Sequence, residues 1–330
     1  MKILITGGTG YIGSHTAVEL IKDGHEVVIV DDLSNSFEDV IDKIKTITNV
    51  LVPFHKIDCK NYDLLDKLFK EENFDGIIHF AGFKAVGEST KEPLKYYENN
   101  LLSTINLAKL MEKYDVSHFI FSSSATVYGD QPSPLSEKSP LMETTNPYGE
   151  TKKMCERILN DYAKNRSDKT IVLLRYFNPI GAHKSGLLGE IPQGTPNNLM
   201  PYITQVASKK RDKLFIFGND YDTVDGTGVR DYIHVVDLAK GHLAALNKAN
   251  KGCSVYNLGT GVGISVLELV ETFKKINKID IPYEIVARRA GDIATVYASS
   301  EKAFKELNWE TSLSVEDMVR DSWNFEKNIE

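Results

Sequence analysis

Three features of the sequence predict a doubly wound α/β fold, with a parallel sheet followed by a smaller lobe. Short runs of β-branched and apolar residues alternate with longer stretches of helical spacing through the first half of the chain. A glycine cluster joins the first of these runs to the first helical stretch. After about residue 178 the alternation gives way to long segments rich in Gly, Pro and Asn. Continuous apolar strands alternating with helices are the pattern of a parallel sheet covered on both faces.

The elements follow in order. Residues 3–6 form a short apolar strand, and helical spacing runs from 11 to about 22. Further strands are expected at 27–30, 51–57, 76–80, 118–122 and 171–177, with helices at 62–69, 93–113 and 148–164. In the last helix Met154, Cys155, Ile158, Leu159 and Tyr162 make one apolar stripe. Residues 178–198 and 218–230 read as loops, and loops this long inside a compact protein usually serve a binding site. Strand or helix signals recur at 214–217, 235–247, 267–276 and 315–323. The reading is a nucleotide-binding core over 1–177 and a substrate lobe over 178–330, whose segments are free to interleave with the core.

Composition narrows the function classes. The 330 residues are 42% apolar and 26% charged, close to globular averages, which excludes disordered and fibrous chains. A net charge of −7, with Lys and Arg spread along the chain, argues against a general nucleic-acid or anionic-membrane binder. The three cysteines, Cys59, Cys155 and Cys253, are far apart and odd in number, so they form neither a disulfide framework nor a metal knuckle. With no stretch of 18 apolar residues and no signal-peptide pattern at the start, the expected setting is the cytoplasm.

Gly7-Gly8-Thr9-Gly10-Tyr11-Ile12-Gly13 stands between the first strand and the first helix. Glycines there permit a tight turn and bring backbone N–H groups close to a pyrophosphate at the helix N-terminus, the arrangement of a Rossmann-type fold. Asp31 and Asp32 close the second strand. A carboxylate at that point accepts from a ribose 2′-hydroxyl and repels a 2′-phosphate, so it favours NAD over NADP. Asp58 and Cys59 close the third strand, where an adenine would lie.

Tyr148 and Lys152 stand four residues apart, on one face of a helix. A phenol is a poor base at neutral pH, but a nearby cation favours its phenolate, which can take a proton from a hydroxyl while hydride leaves the same carbon. The strand before this helix ends in Ser122-Ser123-Ser124, at the edge where such sheets bind ligands. Ser124 is the serine placed to hydrogen-bond the reacting oxygen.

With the glycine loop, Ser124, Tyr148 and Lys152 in this order, the chain resembles the extended short-chain dehydrogenase/reductase superfamily. Longer stretches resemble one family within it, the UDP-glucose 4-epimerases. They are Phe80-Ala-Gly-Phe-Lys-Ala-Val-Gly-Glu-Ser89, Phe121-Ser-Ser-Ser-Ala-Thr-Val-Tyr-Gly129, Leu174-Arg-Tyr-Phe-Asn178, Pro196-Asn-Asn-Leu-Met-Pro201 and Gly226-Thr-Gly-Val-Arg-Asp-Tyr-Ile-His234. The resemblance implies interconversion of UDP-glucose and UDP-galactose with bound NAD, Tyr148 taking the proton of the sugar 4-hydroxyl. It implies cofactor contacts at Gly7, Gly10, Tyr11, Ile12, Gly13, Asp31, Asp32, Asn35, Ser36, Asp58, Cys59, Phe80, Ala81, Gly82, Lys84, Asn99, Lys152 and Phe177. On the UDP-sugar side it implies Ser124, Tyr148, Asn178, Asn198, Leu199, Phe217, Arg230, Arg289, Asp292 and Val296. In members restricted to glucose and galactose, the position of Val296 resembles a Tyr that fills the pocket beside the sugar 2-substituent. Valine leaves room, so UDP-N-acetylglucosamine is expected to be epimerised too, whereas in a register slipped by one Tyr297 would fill the pocket.

A nucleotide-sugar 4,6-dehydratase would need an Asp-Glu pair directly after Ser124, where this chain has Ala125 and Thr126. A non-catalytic NAD-binding sensor would not need the Tyr-Lys pair. His79 reads as a core residue, and His234 and Asp237 as caps of a helix start. No metal site is expected. Helices 93–113 and 148–164 resemble those that pair family dimers, so the expected partners are the UDP-sugar and a second copy of the chain.

Overall fold

The computed structural model describes residues 1–289 and 291–329, so Ala290, in the stretch beside Arg289, lies outside the described residues. The first half contains β1 (Lys2–Thr6), α1 (Tyr11–Lys22), β2 (Glu26–Asp31), α2 (Val40–Thr48), β3 (Phe54–Lys56), α3 (Tyr62–Glu71), β4 (Gly76–His79), α4 (Val86–Lys91), α5 (Pro93–Lys113), β5 (His118–Ser124), α6 (Pro147–Lys164) and β6 (Thr170–Tyr176). The second contains β7 (Asn178–Ile180), α7 (Leu199–Ala207), β8 (Leu214–Phe217), β9 (Val229–Arg230), β10 (Tyr232–His234), α8 (Val235–Lys248) and β11 (Gly252–Leu258). It continues through β12 (Ile264–Ser265), α9 (Val266–Asn277), β13 (Tyr283–Val286), β14 (Thr295–Val296), α10 (Glu301–Leu307) and α11 (Val315–Lys327).

Seven parallel strands form the central sheet in the order β11-β6-β5-β4-β1-β2-β3. Side chains alternate across it, as the period of two demands. Ile3 and Ile5 of β1 join Val18 of α1, Ile44 of α2 and Leu238 of α8 on one face. Leu4, between them, joins Leu65 of α3, Leu107 of α5 and Leu159 of α6 on the other. This is the doubly wound parallel α/β fold that the alternation predicts. A third core, with Ile203 of α7, Leu214 of β8, Leu269 of α9 and Val319 of α11, belongs to the lobe.

Several elements depart from the sequence reading. The third strand is three residues long rather than spanning 51–57, because Pro53 has no N–H to offer a ladder; its carbonyl still accepts from Ile29 N at 2.9 Å. In the stripe expected on α6, Cys155 and Leu159 are buried but Met154 is exposed. Strand β11 pairs along its whole length with β6. Its mixed sequence, with Ser254 and Asn257, lacks the continuous apolar run expected of a buried parallel strand. Chain beyond residue 177 therefore returns to the central sheet.

The chain leaves β1 for β2 and β3 on one side, then crosses to β4 on the other. Strand order reverses there, and the crevice outside the carboxyl ends of β1 and β4 is where such sheets bind ligands.

Candidate active site

The glycine loop turns directly off β1. Gly7 has φ +70°, and a Cβ there would stand 2.7 Å from Ala81 N, which follows β4. Only glycine combines that conformation with that approach. A Cβ at Gly13 would collide with the Gly7 carbonyl. Gly10 is the N-cap of α1 and supplies no side-chain cap, so the first-turn N–H groups of Tyr11 and Ile12 remain open to an anion. The cradle thus fits a dinucleotide pyrophosphate.

Asp31 ends β2 and is buried, 7% exposed. Its Oδ2 accepts from Thr9 N at 3.2 Å, and its Oδ1 from Leu33 N and Ser36 Oγ, each at 3.0 Å. Asp31 and Ser36 thereby tie the glycine loop to the segment carrying Asp32 and Asn35. Asp32 accepts from Ser34 N at 2.9 Å. Beyond β3, Asp58 accepts from Lys60 N at 2.8 Å, and Asn106 of α5 holds the Cys59 carbonyl at 3.1 Å. Burial pushes the Cys59 thiol well up, so it stays protonated. After β4, the amides of Phe80 and Ala81 both donate to the Thr6 carbonyl. Gly82 lies against Asn100, which grips both backbone groups of Phe83 and also Thr151 of α6. Asn99 donates to Asn100 at 3.1 Å.

Ser124 closes β5. Thr126 donates to its Oγ twice, from Oγ1 at 3.0 Å and from N at 3.3 Å. Those contacts occupy both hydroxyl lone pairs and leave the Ser124 proton free to point elsewhere. Tyr148 stands in the first turn of α6, after the Asn146 cap and Pro147. Burial raises its phenol above the usual value, while the Ser124 hydroxyl and the Lys84 ammonium favour the phenolate. Lys152, one turn on, is buried; its Nζ donates to the Ser122 carbonyl at 2.7 Å and lies 4.9 Å from the Phe121 ring centre. Burial pulls the Lys152 ammonium down to about 8. Lys84 is thus a cation that favours the Tyr148 phenolate, and the Tyr-x-x-x-Lys spacing does not reveal it.

Phe177, buried after β6, belongs to a small cluster with Val127, Tyr128, Leu135 and Ala298. Val296 packs against this cluster, as does Ala125, while the Tyr297 ring lies toward Gly263. Strand pairing sets Val296 opposite Arg230, whose Nη2 donates to Asp292 at 2.6 Å. The Arg289 guanidinium lies 3.9 Å over the Phe217 ring. Asn178 opens β7 and donates its N–H to the Asp231 carbonyl at 2.9 Å. Asn198 is the N-cap of α7, and Leu199 its first residue. The Asn198 side chain does not cap that helix but donates to Glu190 at 2.7 Å.

His79 is a satisfied core residue, between Thr6 Oγ1 at 2.7 Å and Thr104 Oγ1 at 3.2 Å. His234 caps α8 by accepting from Val236 N, and Asp237 accepts from Ser312 and Leu313. Among the described residues no group of three His, Cys, Asp or Glu could hold a metal, and no helix is long and apolar enough to cross a membrane. Glu190, Thr126 and Asn100 were missed in the sequence. Each works through a partner distant in the chain or through a hydroxyl orientation, and neither leaves a local signal.

The sequence pattern of the NAD dependent epimerase/dehydratase family matches residues 3–259. A UDP-glucose 4-epimerase of Dictyostelium discoideum is 53% identical over 98% of this chain and 95% of its own. The crystal structure of UDP-glucose 4-epimerase from Bifidobacterium longum, in complex with NAD+ and UDP, is 50% identical and covers 99% of both chains with a TM-score of 0.96. The UDP-Glc/GlcNAc 4-epimerase of Campylobacter jejuni is 39% identical, also over 99% of both chains, with a TM-score of 0.85. The chain belongs to the NAD dependent epimerase/dehydratase family and, within it, to the UDP-glucose 4-epimerases, which are isomerases.

Proposed function

We propose that this chain inverts C4 of UDP-hexoses, with Tyr148 as the base and NAD held throughout the cycle. The observation that carries the reading is Tyr148 at the start of α6, following the serine-rich end of β5, with the Ser124 hydroxyl and the Lys84 ammonium favouring its phenolate. Bound NAD supplies reversible hydride transfer, so the cycle has no net oxidation. The glycine loop would hold its pyrophosphate, Asp31 its adenosine ribose, and Lys152 the ribose near Tyr148.

Tyr148 removes the proton of the sugar 4-hydroxyl and later returns it to the same oxygen. The Ser124 hydroxyl orients that oxygen. Both sugar epimers must reach the same phenol, so the lobe has to grip UDP and leave the sugar free to turn. Arg230 and Arg289 are cations suited to a diphosphate, and Phe217 is an aromatic face for uracil. Val296, a small side chain next to the cluster holding Phe177, leaves room for an N-acetyl group at C2 of the sugar. A cytoplasmic role in galactose metabolism is the setting this activity implies.

The test is purified protein without added NAD, incubated separately with UDP-galactose and UDP-N-acetylgalactosamine, with products read by proton NMR. Both should give their gluco epimers. Turnover of UDP-galactose alone would defeat the Val296 reading, and no turnover even with NAD supplied would sink the epimerase. Val296→Tyr should keep the first reaction and abolish the second.

The packed pair α5 and α6 exposes Leu94, Leu102 and Met154. Those residues support a homodimer through these helices, which sedimentation of the parent and of Leu102→Lys would check.

A further inference from the structure

Glu190 lies in the segment between β7 and α7, and one of its carboxylate oxygens holds two side chains from different parts of the fold. Oε1 accepts from Lys84 Nζ at 3.0 Å and from Asn198 Nδ2 at 2.7 Å. Lys84 follows β4 in the core, while Asn198 opens α7 in the lobe. The Glu190 side chain is 13% exposed and that of Lys84 is 50% exposed. The carboxylate is therefore the more buried member, lining a cavity with Tyr11, Gly181 and Met200, while both donors are exposed. An ion pair with one partner half in water contributes little to stability, so stability alone does not account for this arrangement.

We propose that Glu190 is a positioning residue that joins the UDP site to the catalytic base, by sharing one carboxylate between Asn198 and Lys84. The contacts run from Asn198 through Glu190 to Lys84, and the Lys84 charge in turn acts on the Tyr148 phenol. The carboxylate keeps the Lys84 ammonium charged and places it, and it partly offsets the pull of that ammonium on the phenol. The other groups facing Tyr148 are the Ser124 hydroxyl, Tyr96 from α5 and Tyr176 from β6, with Lys152 one turn along its own helix. The proposal rests on the reading of Tyr148 as the base.

Two variants separate the two halves of the role. Glu190→Gln keeps an oxygen for Asn198 and removes the charge beside Lys84. Its KM for UDP-galactose and its UDP affinity should stay within about twofold of the parent. The acid limb of its kcat profile should move to lower pH by about half a unit or more, because the unopposed ammonium favours the phenolate. Glu190→Ala also frees Asn198, and its UDP dissociation constant, read by calorimetry, should rise about tenfold. Adding Lys84→Met to Glu190→Gln should reverse the shift and carry the acid limb above the parent's, because the phenol then has no Lys84 cation to favour its ionised form. A Glu190→Gln profile superimposed on the parent's, or parent UDP affinity in Glu190→Ala, would overturn the proposal. If Glu190→Ala does not fold, the Glu190→Gln profile decides. Tyr148→Phe keeps the readings apart: full activity there defeats the base assignment, whereas an inactive Tyr148→Phe with an unshifted Glu190→Gln defeats only the role of Glu190.

Discussion

Lys152 is held at a cost to the fold. Its buried ammonium has one carbonyl and one aromatic face for company, and burial pulls it down to about 8 from an ordinary lysine value of 10.5. The folded chain binds this proton less tightly than the unfolded chain does. The cost is therefore full below pH 8, and stability rises with pH between about 8 and 10.5. Lys152→Met keeps the aliphatic stem and removes the charge. The variant should be more stable than the parent by about 1–2 kcal/mol at pH 7, measured by urea unfolding. Its kcat should fall at least about a hundredfold. A variant no more stable than the parent would show that the ammonium is better accommodated than its contacts indicate.

At the scale of elements, the start of α6 decides where the phenol sits. Asn146 caps the helix by accepting from Gly149 N at 2.9 Å, and Pro147 occupies the first turn. Asn146→Ala should cost about 1 kcal/mol of stability. Its kcat should fall further than that loss implies, since Tyr148 lies inside the loosened turn; comparing kcat with the melting temperature checks it. On the lobe side, buried Asp231 accepts from Thr260 N at 2.8 Å and from Gly261 N and Ala298 N, each at 3.0 Å. One carboxylate thus joins the junction of β9 and β10 to the turn after β11 and to the chain after β14, between Arg230 and Val296. Asp231→Asn turns an amide N–H₂ toward N–H donors. It should destabilise the protein by about 2–4 kcal/mol in urea unfolding and weaken UDP binding as well.

For the whole molecule, acid sensitivity follows from buried histidines. Burial pulls His15 and His79 down to about 3, and His183 and His242 to about 4. Among the described residues His15 Nε2 finds no hydrogen-bond partner. The unfolded chain would protonate all four near the ordinary value of 6.5, while the folded chain resists. Stability should hold above about pH 6.5 and fall below it, by up to about 1.4 kcal/mol per pH unit for each histidine. Urea midpoints measured between pH 7.5 and 5 check the slope, and His79→Gln should reduce it.

The fold class and the place of the glycine loop were legible because both rest on local order: apolar runs of four to eight residues, helical spacing between them, and a turn that only glycine can make. Gly7, Asp31 and Ser124 each stand at or beside a strand end, and Tyr148 at a helix start, that the pattern alone marks. What joins strand ends to one another is not written locally. Strand β11 reads as half polar and joins the sheet as an edge strand only because β6 lies beside it. Whether Val296 or Tyr297 turns toward Phe177 depends on pairing with β9, since a shift of one residue reverses every side chain of a strand. Glu190 meets Lys84 across 106 residues of sequence. By itself the sequence determined the main strands and helices of the first half and which residues stand at their ends, because those depend on near neighbours. The tertiary structure alone decided which of those residues share a charge, a hydroxyl or a packing face, because those contacts depend on how distant segments meet.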